Sequence, residues 1–484
     1  MRPKLHQALA LSDHLPFSKA TQHLGLLIVS PGQALEQTRL HLEGVGTVVE
    51  TQYDVIVVGG GVGGVCGALA AARSRVRVLL VEAAPAVGGT GVFSSVSLIC
   101  DFRDDDGRPI NNGIHRELFP EAYLRVNPRM VPTYDEQALR ARYEQLLAAE
   151  PTLTVWTGTR VAEVRIDDGR VEALRLEGDH EGWISASAYL DATADGNLAQ
   201  MAGADFWLGR EQDGLLQSAT ATFKVSGFDP ELLIDPRVET WDAIFSLRRE
   251  LLPYYRELKD KGLTSNPRED VTCFPYPGGK SLLFNSTSVL GVDPTRPETV
   301  RAGLEEGEKQ ARELFAAITR HPAFADATLD FISPKLGVRE GRRIVGDYEL
   351  TGEDCLSCRR FDDMIAAGGY DVDVHNPEGG KSRLTRIPSP GYYHIPLRSL
   401  IPRGLLNVVL SSRCISGSYE AHASYRVMSS ISGVGEAAGV TAALMHVGGF
   451  GDVREVDAAA VRYVLQMRGQ FVEGRVEPVE LPVI

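Results

Sequence analysis

Short, uninterrupted apolar runs alternate along the chain with glycine-rich turns and with stretches of helical spacing. Residues 53–58 form a β-branched run, and the segment 59–64 that follows at once contains five glycines. Residues 65–75 are rich in Ala and lack Pro, and 76–81 is a second apolar run ending at Glu82. This pattern predicts two strands buried on both faces of a parallel sheet with a helix between them. The whole is one βαβ unit of about 30 residues.

Further elements follow the same logic. Asp135-Glu136 begins a helical stretch that Pro151 ends, and Asp168-Gly169 lies between two alternating runs, 161–166 and 171–176. An Asp-Gly pair in that position predicts a β-hairpin with a two-residue turn. Residues 188–191 predict another short strand.

The composition of the chain changes between about 205 and 335, where Trp, Tyr, Phe and Pro residues cluster. Within this segment a long helix is predicted over 298–320. A strand is predicted again at 407–410, followed by a helix of small residues around 435–445. We therefore divide the chain into an N-terminal extension, a first part of a nucleotide-binding domain, an inserted domain, a second part and a C-terminal segment: 1–50, 51–204, 205–335, 336–455 and 456–484. The extension is compatible with a mis-assigned start codon, an added strand or an oligomer contact.

Composition narrows the class of protein. The chain has 484 residues, of which 43% are hydrophobic and 24% charged, and its formal net charge is −14. These values are typical of a globular protein, and the acidic balance argues against nucleic acid as a partner. Six scattered cysteines do not suggest a disulfide framework, so we expect a cytoplasmic protein. No apolar run reaches the ~18 residues of a membrane span.

The glycine turn has the spacing of a phosphate-binding loop. Gly59, Gly61 and Gly64 form G-x-G-x-x-G: a tight turn, a close approach to a pyrophosphate, and close packing of helix on strand. The helix N-terminus then offers N–H groups and partial positive charge to the phosphates. Glu82, 18 residues past Gly64, can accept the hydroxyls of an adenosine ribose.

The turn alone leaves NAD and FAD open. A second glycine turn, Gly88-Gly89-Thr90-Gly91, follows the ribose carboxylate and suits a cofactor that continues past the pyrophosphate, such as a flavin. The chain contains one full G-x-G-x-x-G unit, so no separate NAD(P)H domain is visible.

Four stretches carry a resemblance to a known family: 54–64 with Glu82 and 88–90, then 189–196, 336–348, and 411–439. The second matches a D-A-T-G-D-G turn with Ala194 where Gly is usual. On these stretches the chain resembles FAD-dependent oxidoreductases whose nucleotide domain is like that of glutathione reductase and fumarate reductase flavoproteins. The resemblance implies an α/β fold: a discontinuous Rossmann-like FAD-binding domain with an inserted α+β substrate domain.

The resemblance also implies FAD as cofactor and redox chemistry on a small organic substrate. In such families the last helix points its N-terminus at the flavin. With that helix starting near Val434, Ser432 and Gly433 become candidates for this contact, although its small residues also suit packing. The expected cofactor-binding residues are Gly59, Gly61, Gly63, Gly64, Glu82, Gly88, Gly89, Thr90, Val161, Asp195, Ser432 and Gly433.

Candidate catalytic residues are Arg339, His394, His422 and Arg426. Arg339 lies in a dense charged stretch with Glu340, Arg342 and Arg343, where a guanidinium either clamps an anionic substrate or joins an internal salt-bridge network. His422 and Arg426 are four apart and would share a helix face, as general base and electrostatic clamp. A structural role for each histidine stays open.

Two further patterns do not indicate metal or redox sites. The C-x-x-C at Cys355 and Cys358 is taken as two incidental thiols, and the spacing around His375 fits no known metal site. Cys100 is a candidate for covalent FAD attachment.

The expected function is hydride transfer between a small organic substrate and flavin, with the active site at the seam between the FAD and substrate domains. The direction and the electron acceptor (oxygen, a quinone or a separate carrier) stay open, as does assembly into a homo-oligomer. The alternatives are a flavin monooxygenase that uses NAD(P)H and a nucleotide-fold binding protein without turnover.

Overall fold

The chain folds into both strands and helices in this computed structural model, which describes residues 53–100, 102–124, 129–474, 476 and 478–479. All of these lie in one compact unit, Thr51–Ile484. The expected extension at 1–50 lies outside the described residues.

The strands are, in chain order, β1 (Val55–Val58), β2 (Val78–Val81), β3 (Leu153–Trp156), β4 (Thr159–Asp167), β5 (Arg170–Gly178), β6 (Gly182–Ile184), β7 (Ala188–Asp191), β8 (Phe206–Leu208), β9 (Phe223–Ser226), β10 (Cys273–Pro275), β11 (Ser281–Phe284), β12 (Thr328–Ile332), β13 (Arg342–Ile344), β14 (Met364–Gly368), β15 (Val372–Val374), β16 (Arg383–Thr385), β17 (Tyr393–Pro396) and β18 (Val408–Leu410).

The α-helices are α1 (Val62–Ala72), α2 (Gly89–Phe93), α3 (Ile114–Leu118), α4 (Pro120–Leu124), α5 (Glu136–Ala148), α6 (Asn197–Met201), α7 (Trp241–Asp260), α8 (Pro297–Ile318), α9 (Gly352–Leu356), α10 (Tyr419–Tyr425), α11 (Met428–Gly448) and α12 (Ala458–Met467). Among the described residues no single helix is long and apolar enough to cross a membrane. Helices α10 and α11 reach that length and composition only when they are taken together, and the chain bends by 93° between them.

A five-stranded parallel sheet forms the centre of the fold, in the order β18-β7-β1-β2-β3. Every residue of β1, β2, β7 and β18 is buried, which is why these strands are continuous apolar runs. β18 pairs with β7 although more than 200 residues separate them, so the segments before and after the middle of the chain share one sheet. The predicted α/β class and parallel sheet are confirmed.

An antiparallel sheet, β10-β11-β9-β12, lies within residues 223–332 and is covered by α7 and α8. Its core is largely separate from that of the parallel sheet and includes Phe223, Phe284 and Phe324. These elements fall within the range expected for the inserted domain; the boundaries of that domain stay a prediction.

Two local predictions are confirmed in detail. The Asp135 side chain accepts hydrogen bonds from the backbone N–H groups of Gln137 and Ala138, so α5 begins where expected. The hairpin β4–β5 turns at Asp168 and Gly169, whose φ angles of 42° and 78° are those of the predicted turn.

One helix boundary was predicted wrongly. α11 begins at Met428, six residues before the expected start near Val434. Its small residues serve a close helix crossing: a Cβ on Gly435 would lie 2.3 Å from the carbonyl oxygen of Gly63, and one on Gly439 would lie 2.1 Å from that of Gly67. Because α1 and α11 touch through their backbones, the start of α11 is held close to the glycine turn.

Candidate functional site

A cavity opens at the carboxyl ends of β1, β7 and β18, where ligands bind in open α/β sheets. One wall is the glycine turn with Glu82 and the second glycine turn. The lining also includes the segment 337–339, Thr220 and Asn285, and the residues that lead into α11. The cavity therefore gathers residues from all four stretches that carried the resemblance.

The glycine turn leaves room at one position for a ligand. A Cβ on Gly61 would have the Cα of Gly89, 3.8 Å away, as its nearest neighbour. Gly61 thus borders open space in the cavity, and Gly89 and Thr90 line it from the other side. The first turn of α1 and the first turn of α2 both meet here, so free N–H groups face the same space.

The other glycines of the turn are needed for packing. A Cβ on Gly64 would lie 1.8 Å from the carbonyl oxygen of Gly59, and a Cβ on Gly63 would lie 1.8 Å from that of Ser411. Gly59 has φ of 108°, and its Cβ would lie 2.4 Å from the oxygen of Ala192. Gly88 donates its N–H to the carbonyl oxygen of Gly60, which joins the two glycine turns.

Glu82 is a carboxylate that lines the cavity. Its carboxylate accepts hydrogen bonds from the backbone N–H of Gly60 at 2.5 Å and from that of Ala84 at 2.7 Å. These bonds fix the carboxylate beside the turn while it still borders the cavity, as a ribose-binding carboxylate requires.

The turn after β7 contains a strained residue. Ala194 lines the cavity with φ of 67°, a conformation that glycine adopts at no cost. The departure from the family pattern at this position therefore leaves the turn itself intact. Asp195, next along, binds the guanidinium of Arg413 at 2.8 Å and is not among the residues that line the cavity.

The N-terminus of α11 reaches the cavity through Val427, Met428 and Ile431. Ser432 and Gly433 lie beyond the first turn, and the Ser432 hydroxyl donates to the carbonyl oxygen of Ser429. The expectation that these two residues form the N-terminal contact is corrected by the earlier start of the helix, because the N-terminal N–H groups belong to residues 428–430.

Three guanidinium groups border the cavity. Arg339 is almost fully buried, and its Nη1 donates to the carbonyl oxygen of Ser218 at 2.6 Å. Burial, with repulsion from Arg426 and Arg268, lowers the pKa of Arg339 to about 9, which leaves it protonated at neutral pH. The expectation that Arg339 lies at the site agrees with this position.

Arg426 links the cavity to a buried polar cluster. Its Nη2 lies 3.8 Å from a carboxylate oxygen of Asp373, which also accepts hydrogen bonds from Tyr370 at 2.8 Å and from His375 at 3.0 Å. Although burial alone would raise it, His375 and Arg426 hold the pKa of Asp373 below its usual range. The guanidinium thus faces a carboxylate that is ionised at neutral pH.

The structure places both candidate histidines away from the cavity lining. His422 is fully buried beside Tyr425, and burial keeps its pKa well below the usual range. His394 accepts a hydrogen bond from the backbone N–H of Phe361 and pairs with Glu473. Neither histidine is therefore proposed as a base for a ligand in this cavity.

One further expected cofactor-binding position, Val161, also lies outside this lining. Val161 pairs with Leu176 in the β4–β5 hairpin and does not line the cavity. Cys355 and Cys358 form no disulfide, whereas Cys100 borders the cavity. Among the described residues there is no group of three or more potential metal ligands.

The sequence interpretation missed Arg413, Thr220 and Asn285. Arg413 follows β18 after two residues, and a polar residue just past a buried parallel strand is a signal that would have found it. Thr220 and Asn285 lie in the region of the antiparallel sheet, and no local pattern marks them.

Comparison with known families decides the assignment. A family model described as FAD dependent oxidoreductase matches residues 54–465, most of the chain. The chain belongs to this family. The expected FAD cofactor and the expected Rossmann-like fold are thereby confirmed, and the protein is an FAD-dependent oxidoreductase.

Three of the solved structures to which this chain is similar are the following. A p-nitrophenol 4-monooxygenase from Pseudomonas putida DLL-E4 is 12% identical over 87% of this chain and 81% of that one, with a TM-score of 0.40. A geranylgeranyl bacteriochlorophyll reductase-like protein from Thermoplasma acidophilum is 11% identical over 87% and 83%, with a TM-score of 0.41. GidA from Aquifex aeolicus is 12% identical over 85% and 67%, with a TM-score of 0.38.

The cavity of this oxidoreductase fits FAD. A carboxylate, a glycine turn without a side chain at Gly61 and a helix N-terminus all line this one cavity. These are the groups that an adenosine ribose, a pyrophosphate and an electron-rich ring system require.

Proposed function

We propose that this FAD-dependent oxidoreductase transfers a hydride between a small organic substrate and the flavin inside the cavity. The observation that supports this most is that Glu82, Gly61, Arg426 and the N-terminus of α11 all line one cavity. Two chemically different ends are joined: one suited to a nucleotide, the other to a redox reaction.

The nucleotide end would hold the cofactor by groups that are already fixed. Glu82 is oriented by two backbone N–H groups and would accept the ribose hydroxyls. The first turn of α1 would bind the pyrophosphate through its N–H groups and its partial positive charge. When bound, FAD supplies a two-electron acceptor or donor at its ring system.

The other end combines positive charge with an apolar surface. α11 is 21 residues long and presents its N-terminus at Met428, where its partial positive charge would stabilise negative charge on a bound ring. Val96, Leu98 and Ile431 line the same cavity and would exclude water from it. In such a water-poor site the guanidinium of Arg426 acts more strongly on a substrate than it would in water.

The first experiment tests the cofactor and its attachment together. The purified full-length protein should absorb between about 350 and 500 nm, as an oxidised flavin does. After acid precipitation the colour should appear in the supernatant if FAD is bound without a covalent bond, and in the pellet if Cys100 or another residue holds it. A protein that stays colourless when offered FAD contradicts the proposal.

The second experiment tests the direction of electron flow. Under anaerobic conditions, the bound flavin should bleach when a substrate is added from a panel of small organic compounds, and it should recover on addition of oxygen or a quinone. Rapid bleaching by NADH or NADPH alone would instead indicate a monooxygenase. Bound FAD that no compound reduces would indicate a binding protein.

A further inference from the structure

The arginines that line the cavity do not all have a carboxylate partner at ion-pair distance. Two of the three arginines that line the cavity each face a carboxylate: Arg413 with Asp195 at 2.8 Å, and Arg426 with Asp373 at 3.8 Å. Each of these guanidiniums therefore has a negative partner within the protein.

Arg339 lacks such a partner. No carboxylate of the described residues lies within 4.0 Å of its nitrogen atoms, and it donates only to neutral acceptors, the carbonyl oxygen of Ser218 and the side-chain oxygen of Asn285 at 3.3 Å. The side chain is buried, and it borders the cavity. Asp373 attracts this guanidinium only from beyond that distance, and the same carboxylate already faces Arg426. A buried charge with no close counter-charge of its own is costly, so a partner from outside the chain would stabilise this arrangement.

A second donor lies beside it. The Oδ1 atom of Asn285 accepts hydrogen bonds from both Arg339 and the hydroxyl of Thr220, the latter at 3.0 Å. The amide therefore turns its Nδ2 donors away from these two groups, and Asn285 lines the cavity. A guanidinium and an amide N–H₂ at one wall are groups that bind an oxyanion.

We infer that the substrate of this enzyme carries a carboxylate, and that Arg339 binds it with Asn285. The inference rests on the proposed function and names the class of its substrate. The same donors would also suit a phosphate of FAD. The substrate is favoured because the first turn of α1 already offers N–H groups for the pyrophosphate, whereas Arg339 lines the cavity close enough to Arg426 for the two guanidiniums to repel each other.

The test uses the FAD-loaded enzyme and simple carboxylates as probes. Acetate and succinate are titrated against sodium chloride at constant ionic strength while the flavin absorbance is followed. We expect a saturable change with the carboxylates and none with chloride. Arg339→Gln should raise the half-saturation concentration roughly tenfold to a hundredfold, the loss of one charged hydrogen-bonding partner. The affinity of the apoprotein for FAD, measured by fluorescence titration, should stay unchanged.

Arg312→Gln is the matched control, because Arg312 is an exposed arginine of α8 paired with Glu308. It should leave both titrations as in the wild type. Should Arg339→Gln fail to fold, Arg339→Lys keeps the charge and loses the planar fork, and it should still weaken carboxylate binding.

The outcomes separate the two sources of the oxyanion. Weaker FAD binding in Arg339→Gln with an unchanged carboxylate response would assign the guanidinium to a cofactor phosphate and overturn the inference. A wild-type enzyme that binds FAD but does not respond to carboxylates overturns it as well and leaves the proposed function standing. A wild type that does not bind FAD refutes the proposed function itself.

Discussion

Adding one methyl group at different glycines of the glycine turn should separate effects on ligand binding from effects on folding. In Gly61→Ala the new Cβ would meet its nearest neighbour at 3.8 Å, which is ordinary van der Waals contact, and Gly61 has φ of −76°. In Gly64→Ala the Cβ would lie 1.8 Å from a backbone oxygen. We therefore expect Gly61→Ala to fold normally and to bind FAD poorly, and Gly64→Ala to be destabilised with or without cofactor.

The magnitudes follow from these distances. Gly61→Ala should change the free energy of unfolding of the apoprotein by less than about 1 kcal/mol, since nothing in the protein has to move. If the methyl group prevents one charged hydrogen bond to the pyrophosphate, FAD binding loses about 1.5 to 3 kcal/mol, or roughly tenfold to a hundredfold in Kd. Gly64→Ala should cost about 3 kcal/mol or more, because backbone atoms must separate.

Two measurements on each variant check this prediction. Thermal denaturation of the apoprotein gives the stability, and quenching of FAD fluorescence gives the Kd. The reasoning is refuted if Gly61→Ala binds FAD like the wild type, or if its apoprotein melts as early as that of Gly64→Ala. The first result would mean that the phosphates do not approach this turn.

Three further changes probe neighbouring features. Glu82→Gln should raise the Kd for FAD about tenfold in the same titration, because a neutral amide binds ribose hydroxyls more weakly than a carboxylate. Ala194→Gly should stabilise the protein by about 1 kcal/mol in urea denaturation, because it relieves a positive φ. Glu436→Gln should flatten the pH dependence of stability: burial raises the pKa of Glu436 from 4.5 to about 7. Its contribution is therefore fully present below pH 4.5 and is lost as the pH rises through 7, by about 3 kcal/mol in total.

Each of these has a result that would contradict it. An unchanged Kd in Glu82→Gln would place the ribose elsewhere, and Glu82→Asp serves as the charge-retaining control. A loss of stability in Ala194→Gly would show that the methyl group packs usefully at that turn. For Glu436→Gln, the fall in the free energy of unfolding between pH 5 and pH 8, measured by urea denaturation, should be smaller than in the wild type, and a fall equal to that of the wild type would contradict the role of Glu436.

The sequence predicted those parts of the site that short-range pattern controls. The turn at 59–64, the strand that ends at Glu82 and the hairpin at Asp168-Gly169 each depend on neighbours in the chain, and backbone geometry leaves them few alternatives. The start of α11 was misplaced because its first residues, Met428-Ser429-Ser430-Ile431, lack both a side-chain N-cap and an acidic first turn. Without those signals, the start of α11 was predicted at the small residues further along the chain.

The arrangement of side chains at the redox end of the cavity could not be predicted from the sequence, because it depends on contacts between distant residues that no periodic pattern of apolar residues encodes. Arg339 and Arg343 are four residues apart in one charged stretch, and both are buried. What distinguishes them is the partner each one meets: Glu340 for Arg343, and the neutral side chain of Asn285, 54 residues away, for Arg339. Because Asn285 is brought to the cavity by the antiparallel sheet and Arg339 by the return to the parallel sheet, only the folded chain reveals which guanidinium is left without a carboxylate at ion-pair distance. That difference, rather than the number of arginines in the stretch, points to an anion at this end of the cavity.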